Sequence, residues 1–84
     1  MAVRLVIAED HAVVREGLRM FLRSDDGIEV VGEAVDGRAA VEAAHRLRPD
    51  VILMDLVMPG MDGISATSAI RNDLSDVEVV ALTS

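Results

Sequence analysis

The sequence predicts an α/β domain with a doubly wound parallel sheet, truncated after its fourth strand. Three observations carry that prediction. Short β-branched runs alternate with segments of helical apolar spacing. Two of the runs, Val51 to Met54 (VILM) and most of Val3 to Ala8 (VRLVIA), are apolar nearly throughout, as strands covered on both faces are. The resulting order is β-α-β-α-β-α-β, and such alternation implies parallel strands joined by right-handed helical crossovers.

Each element has its own signal. Val3 to Ala8 is the first strand. From His11 to Arg23, Val14, Leu18, Phe21 and Leu22 recur at offsets of four, seven and eight, which is one face of a helix. Ser24, Asp25, Asp26 and Gly27 stop it. Ile28 to Val35 (IEVVGEAV) reads as the second strand. Gly37 to Arg48 follows, with Ala40, Val41, Ala44 and Leu47 as its stripe. Pro49 ends that helix, because the residue before a proline is pushed out of helical geometry. VILM is the third strand. Asp62 to Asp73 is the third helix, striped by Ile64, Thr67 and Ile70 and N-capped by Asp62. Val77 to Leu82 (VEVVAL) is the fourth strand.

Composition bounds the function. The chain has 84 residues and 51% of them are apolar, enough for a core in one small domain. There is no Cys, which excludes disulfides, thiolate metal sites and Cys nucleophiles. Eight basic residues stand against 15 acidic ones, a net charge of −7, so this segment by itself is expected to repel nucleic-acid backbones. No apolar run reaches the ~18 residues of a membrane helix, and the N-terminus lacks a signal pattern. No membrane partner is expected, and a cytoplasmic location is the default. All eight basic residues are Arg; there is no Lys.

Chemistry in an open parallel sheet sits beyond the carboxyl ends of the strands, where strand order reverses. Glu9 and Asp10 follow the first strand, Asp55 follows the third, and Thr83 ends the fourth. Three acids and a hydroxyl share one rim if strands one, three and four are neighbours. Clustered carboxylates repel unless a cation intervenes. With oxygen ligands only, the natural occupant is a hard divalent ion, and Mg²⁺ suits two carboxylates plus water. Such a site fits phosphoryl chemistry: Glu9 and Asp10 serve the metal, and an Asp55 oxygen attacks. The loop Val57-Met58-Pro59-Gly60-Met61-Asp62-Gly63 sets a Pro-Gly turn before the next helix, able to aim a backbone carbonyl at the ion. A plainer role suits the same residues, since an Asp at a strand end commonly forms a turn or caps a helix.

These residues together resemble the receiver domain of two-component response regulators, a flavodoxin-like (CheY-like) fold. The likeness rests on Glu9-Asp10, the apolar strand ending in Asp55, DLVMPGMDG from Asp55 to Gly63, Arg48-Pro49-Asp50 and Leu82-Thr83. It covers Met1 to Ser84. Asp10-His11, Val14-Arg15-Glu16-Gly17-Leu18 and IEVVGEA resemble most the NarL/LuxR type, in which a helix-turn-helix DNA-binding domain follows the receiver. The resemblance implies that Asp55 accepts the phosphoryl group and that Asp10 ligates Mg²⁺ directly. It implies further that Glu9 holds the ion through water and that the Val57 backbone carbonyl is the third protein ligand. Thr83 would bond the phosphoryl group and switch position on activation. The donor would be the phosphohistidine of a sensor histidine kinase, and the protein an acceptor rather than a turnover enzyme.

The sequence departs from the family pattern in two ways. Receivers carry a Lys at the end of a fifth strand, and this sequence has neither. The fourth helix, fifth helix and DNA-binding domain are also missing from residues 1–84, which are therefore expected to be an incomplete receiver. A charge-assisted hydrogen bond is worth roughly 1.5–3 kcal/mol, so loss of the Lys contact alone is expected to weaken the phosphorylated form about tenfold to a hundredfold. The uncovered fourth strand is expected to make the chain a homodimer or a swapped oligomer.

Other residues read more plainly. His11 opens the first helix beside the acids, where a metal or proton role is conceivable, but it is expected to be a solvated residue of the first turn; His45 is expected to lie on the surface, and Arg15, Arg19 and Arg23 to form a solvated face. Met54, Met58 and Met61 are packing residues. Two rival functions stand beside the receiver reading. One is a receiver-like interaction module that uses no phosphate. The other is an Asp-nucleophile phosphatase, which usually needs a second Asp two residues after the first, where this chain has Val57.

Overall fold

The computed structural model describes residues 2–58 and 62–82. Its elements run β1 (Val3–Ala8), α1 (Ala12–Arg23), β2 (Ile28–Ala34), α2 (Gly37–Leu47), β3 (Val51–Asp55), α3 (Gly63–Asp73) and β4 (Glu78–Leu82). The strands form one parallel sheet in the order β2-β1-β3-β4. The chain steps outward from β1 to β2, then returns past β1 to β3 and β4. The reversal lies between β1 and β3, and right-handed crossovers then put α1 on one face and α2 and α3 on the other. The predicted alternation is borne out, with strands one, three and four adjacent.

The strand pattern sorts the core. Val6 and Ala8 of β1 join Ala34, Ile52, Met54 and Val79 in a cluster under α2 and α3, which adds Ala40, Ala43, Ala44, Ala66 and Ile70. Leu5 and Ile7, one residue out of phase, are also buried but outside that cluster, as the period of two requires. Small Ala side chains on the helices allow close approach to the branched strand residues. Among the described residues, no helix is long and apolar enough to cross a membrane.

Helix ends follow the local chemistry. Asp36 accepts a hydrogen bond from the Ala39 N–H at 2.7 Å, and Asp62 from the Ser65 N–H at 2.7 Å, so both are N-caps. α2 stops one residue earlier than expected. Arg48, barred from helical geometry by Pro49, turns left-handed at φ 46° and still donates its N–H to the Ala44 carbonyl.

Two helix faces depart from the sequence expectation. No residue of α1 is buried, and Phe21 is 75% exposed. The stripe of Val14, Leu18, Phe21 and Leu22 exists, but the contacts of α1 are mainly with β2 and β1. In α3 the buried face is Gly63, Ala66 and Ile70, while Ile64 is exposed. The cause is Gly63: a Cβ there would stand 2.3 Å from the Asp55 carbonyl oxygen, so the helix presents its smallest residues to β3 and turns Ile64 outward.

Register carries the functional side chains to one rim. Ala8 pairs with Met54, and Asp55 pairs with Leu82. The residue after β1 therefore arrives beside Asp55. At the opposite end Asp50 fixes this register. Its carboxylate accepts from the Arg4 N–H at 2.8 Å, its own N–H donates to the Arg4 carbonyl at 2.8 Å, and its carbonyl accepts from the Glu78 N–H at 3.0 Å.

Candidate functional site

Glu9, Asp10 and Asp55 meet at the carboxyl rim of β1 and β3, where the strand order reverses. Glu9 and Asp55 are 5% and 4% exposed, and Asp10 is half-buried. One ligand atom from each, with one from His11, all lie within 4.8 Å of one another. The cluster thus contains the three acids expected from the sequence, with His11, exposed as expected, against two of them.

Several backbone and side-chain bonds set this corner. The Glu9 N–H donates to the Ala34 carbonyl at 3.0 Å, extending the β1–β2 ladder one residue past the strand. The Glu9 carbonyl accepts from Arg15 Nη1 at 2.8 Å, and Arg15 Nε donates to Glu33 Oε1 at 2.9 Å. Glu9 Oε2 accepts twice from His11, from its backbone N–H at 3.0 Å and from Nδ1 at 2.9 Å. Asp55 Oδ1 accepts from the Val57 N–H at 3.0 Å, a local turn of the kind Asp favours.

The electrostatics are one-sided. His11 Nδ1 also lies 3.2 Å from Asp10 Oδ1. The hydrogen bond to Glu9, then the Asp10 and Glu9 charges, hold the His11 imidazole above its ordinary pKa of 6.5. Asp10 Oδ1 is nonetheless buried without a hydrogen-bond partner among the described residues, because Nδ1 is aligned on Glu9. A buried, unpartnered carboxylate oxygen facing two other carboxylates is a poor arrangement for protein alone and a good one for a hard divalent cation. The donor set therefore fits such an ion.

The remaining predicted residues divide. Val57 sits at the exposed lip, its N–H tied to Asp55. Thr83 lies outside the described residues, as do Pro59, Gly60 and Met61 of the loop. β4 does deliver its end to the site, since the Leu56 N–H donates to the Leu82 carbonyl at 3.3 Å. The arginine face is corrected at two of its three positions, while Arg23 is exposed as expected. Arg15 and Arg19 both reach Glu33, and Arg19 also pairs with Glu16, so these side chains lie across β2 rather than in solvent. The signal was available: Glu33 sits one residue before β2 ends, level with Ile7 of β1. His45 is on the surface as expected, 3.2 Å from Asp73.

Comparison with known proteins decides the family. The profile of the response regulator receiver domain matches residues 5–84. The chain belongs to the response-regulator receiver family. The receiver is 48% identical over 84 residues to the response regulator protein VraR of Staphylococcus epidermidis, covering all of this chain and 40% of VraR. It is 54% identical over 82 residues to the transcriptional regulatory protein LiaR of Bacillus subtilis, covering 98% of this chain and 39% of LiaR. The receiver thus spans about two fifths of the length of these curated relatives. Among solved structures, the signal receiver domain of the regulator NarL from Mycobacterium tuberculosis superposes with a TM-score of 0.93 at 40% identity, over 98% of this chain and 66% of that one. The expected NarL/LuxR type is borne out. Receiver domains generally bind Mg²⁺ in an acidic pocket, and this receiver has the acidic cluster.

Proposed function

We propose that Asp55 is the phosphoryl acceptor of this receiver, that Glu9, Asp10, Asp55 and the Val57 carbonyl hold Mg²⁺, and that Thr83 bonds the phosphoryl group. The observation that carries this reading is Asp55 at 4% exposure beside Glu9 and the unpartnered Asp10 oxygen. The Val57 N–H occupies Asp55 Oδ1 and orients the carboxylate, leaving the other oxygen for phosphorus. That oxygen attacks the phosphorus of a phosphohistidine on a sensor kinase. The O–P bond forms as the N–P bond breaks, and the imidazole leaves and takes a proton from solvent. Bound Mg²⁺ supplies positive charge against the carboxylates and phosphoryl oxygens. The protein is an acceptor and switch rather than a turnover enzyme.

In the whole protein, phosphorylation at Asp55 controls a DNA-binding domain outside residues 1–84. The name of LiaR, a transcriptional regulatory protein, and the NarL likeness support that reading. Acetyl phosphate with Mg²⁺ tests the chemistry. Peptide mapping should place slow phosphorylation on Asp55, dependent on Mg²⁺ and absent from Asp55→Asn. Beryllofluoride with Mg²⁺ should shift the Asp55 and Val57 amide signals. A chain showing neither response contradicts the proposal, and rapid turnover of a phosphate ester points to a phosphatase.

A further inference from the structure

Glu9 and Asp10 are consecutive, so the Glu9 carbonyl belongs to the peptide unit that joins them. The orientation of that rigid plane sets the direction in which both carboxylates leave the backbone. Glu9 is tied at both of its backbone polar groups. Its N–H donates to the Ala34 carbonyl at 3.0 Å, which continues the strand ladder. Its carbonyl accepts from Arg15 Nη1 of α1 at 2.8 Å. The arginine is held in turn, since its Nε donates to Glu33 Oε1 of β2 at 2.9 Å. The Arg15 side chain is only 19% exposed, so this pair is screened less than one in open solvent. Arg15 grips the backbone of the acidic pair, and one residue on, Asp10 Oδ1 is buried without a hydrogen-bond partner among the described residues.

We propose that Arg15 is a positioning residue for the acidic site: held by Glu33, it fixes the Glu9–Asp10 peptide so that both carboxylates face the same ion as Asp55. The inference rests on the acidic-site reading above and adds what keeps that site in shape. Charge and position predict opposite signs for the loss of Arg15. Removing a positive charge beside a cation site strengthens cation binding. Removing a bond that orients the ligands weakens it, and such partners are worth about tenfold to a hundredfold in metal affinity.

The experiment titrates the 84-residue chain with Mg²⁺ and follows the Asp10 and Asp55 amide signals by NMR, in the parent, Arg15→Lys, Arg15→Met and Glu33→Asp. Arg15→Lys and Glu33→Asp keep the net charge. The first loses the forked donor and the second loses reach by one methylene. Arg15→Lys should weaken Mg²⁺ about tenfold, and Glu33→Asp by less than that but by more than about twofold. Arg15→Met should weaken it too, against the direction that charge alone dictates. In chelator, both charge-conserving variants should shift the Asp10 amide and leave those of Ile52 and Met54, inside β3, in place. Mg²⁺ affinities within about twofold of the parent in Arg15→Lys and Glu33→Asp, or tighter binding by Arg15→Met, overturn the proposal while leaving the acidic site standing. Should an arginine variant lose its folded spectrum, Glu33→Asp decides by itself. If Mg²⁺ leaves the Asp10 and Asp55 signals of the parent unmoved, the acidic site falls and the proposal falls with it.

Discussion

Arg15 Nη1 donates to the Glu9 carbonyl oxygen at 2.8 Å, so the second turn of α1 grips the chain where β1 leaves the sheet. The same guanidinium reaches Glu33 of β2 through Nε at 2.9 Å. One planar group thus ties the ends of two strands at this rim, and lysine, which donates from a single nitrogen, lacks the fork that spans both acceptors. Arg15→Met is expected to destabilise the fold by about 1–3 kcal/mol, with Arg15→Lys between it and the parent. A cycle with Glu33→Gln should show strong non-additivity, since both changes break the same bond. Additive effects in urea denaturation would separate Arg15 from Glu33.

Gly63 lies against the backbone of the Asp55 strand end, with a hypothetical Cβ 2.3 Å from the Asp55 carbonyl oxygen and 2.5 Å from the Leu56 Cα. Its N–H also donates to the Leu56 carbonyl at 3.3 Å. Neither neighbour is a flexible side chain, so Gly63→Ala must move the segment that carries Asp55. A cost of about 1–3 kcal/mol is expected, with amide shifts concentrated at Asp55, Leu56 and Val57. A variant of parent stability with unmoved signals there would show that α3 can slide away without consequence.

What the sequence disclosed was set by period and by position relative to strand ends. β1 and β3 were readable because their apolar runs are nearly continuous, and Asp55 because it follows one of them directly. The phase of α3 was not readable. Gly63 and Ala66 carry almost no hydrophobic signal, and the contact that orients the helix is a backbone approach no side-chain scale records. The contacts of His11 and Arg15 were not readable for a related reason. Each looks solvated when only its own helix is considered, and each is claimed by the strand it follows or crosses, His11 by Glu9 and Arg15 by Glu9 and Glu33. The stripe of α1 shows the converse, since a legible apolar face need not be a buried one.

The state of His11 should report the charge of the site. Its pKa is raised above 6.5, first by the hydrogen bond to Glu9 and then by the Asp10 and Glu9 charges. The folded protein therefore favours the charged ring. The stability this gives is fully present below the unfolded value and fades as pH rises through the raised folded value. Glu9→Gln removes the largest cause and should bring the His11 titration back toward 6.5, followed by NMR of the ring protons in a chelating buffer. Mg²⁺ should move it the same way by cancelling the carboxylate field. A titration that ignores both changes would mean that Glu9 does not set the His11 charge.

Asp55→Asn should have opposite consequences with and without metal. In chelator, Asp55 shares a site with Glu9 and Asp10, their ligand atoms within 4.8 Å, and Glu9 and Asp55 are both buried. Like charges so close disfavour the folded state. Asparagine keeps the Oδ1 acceptor that the Val57 N–H uses, so the turn survives while the charge goes. The variant is expected to be more stable than the parent by about 1 kcal/mol in chelator. Saturating Mg²⁺ stabilises only what it binds, by about 2.7 kcal/mol at a hundred times its dissociation constant, and the parent keeps all three carboxylates. The gap should therefore close or reverse as Mg²⁺ is added, read from denaturation midpoints across a Mg²⁺ series. A variant less stable in chelator would show that Asp55 is held by contacts stronger than the repulsion, and parallel midpoints across the series would place the ion away from Asp55.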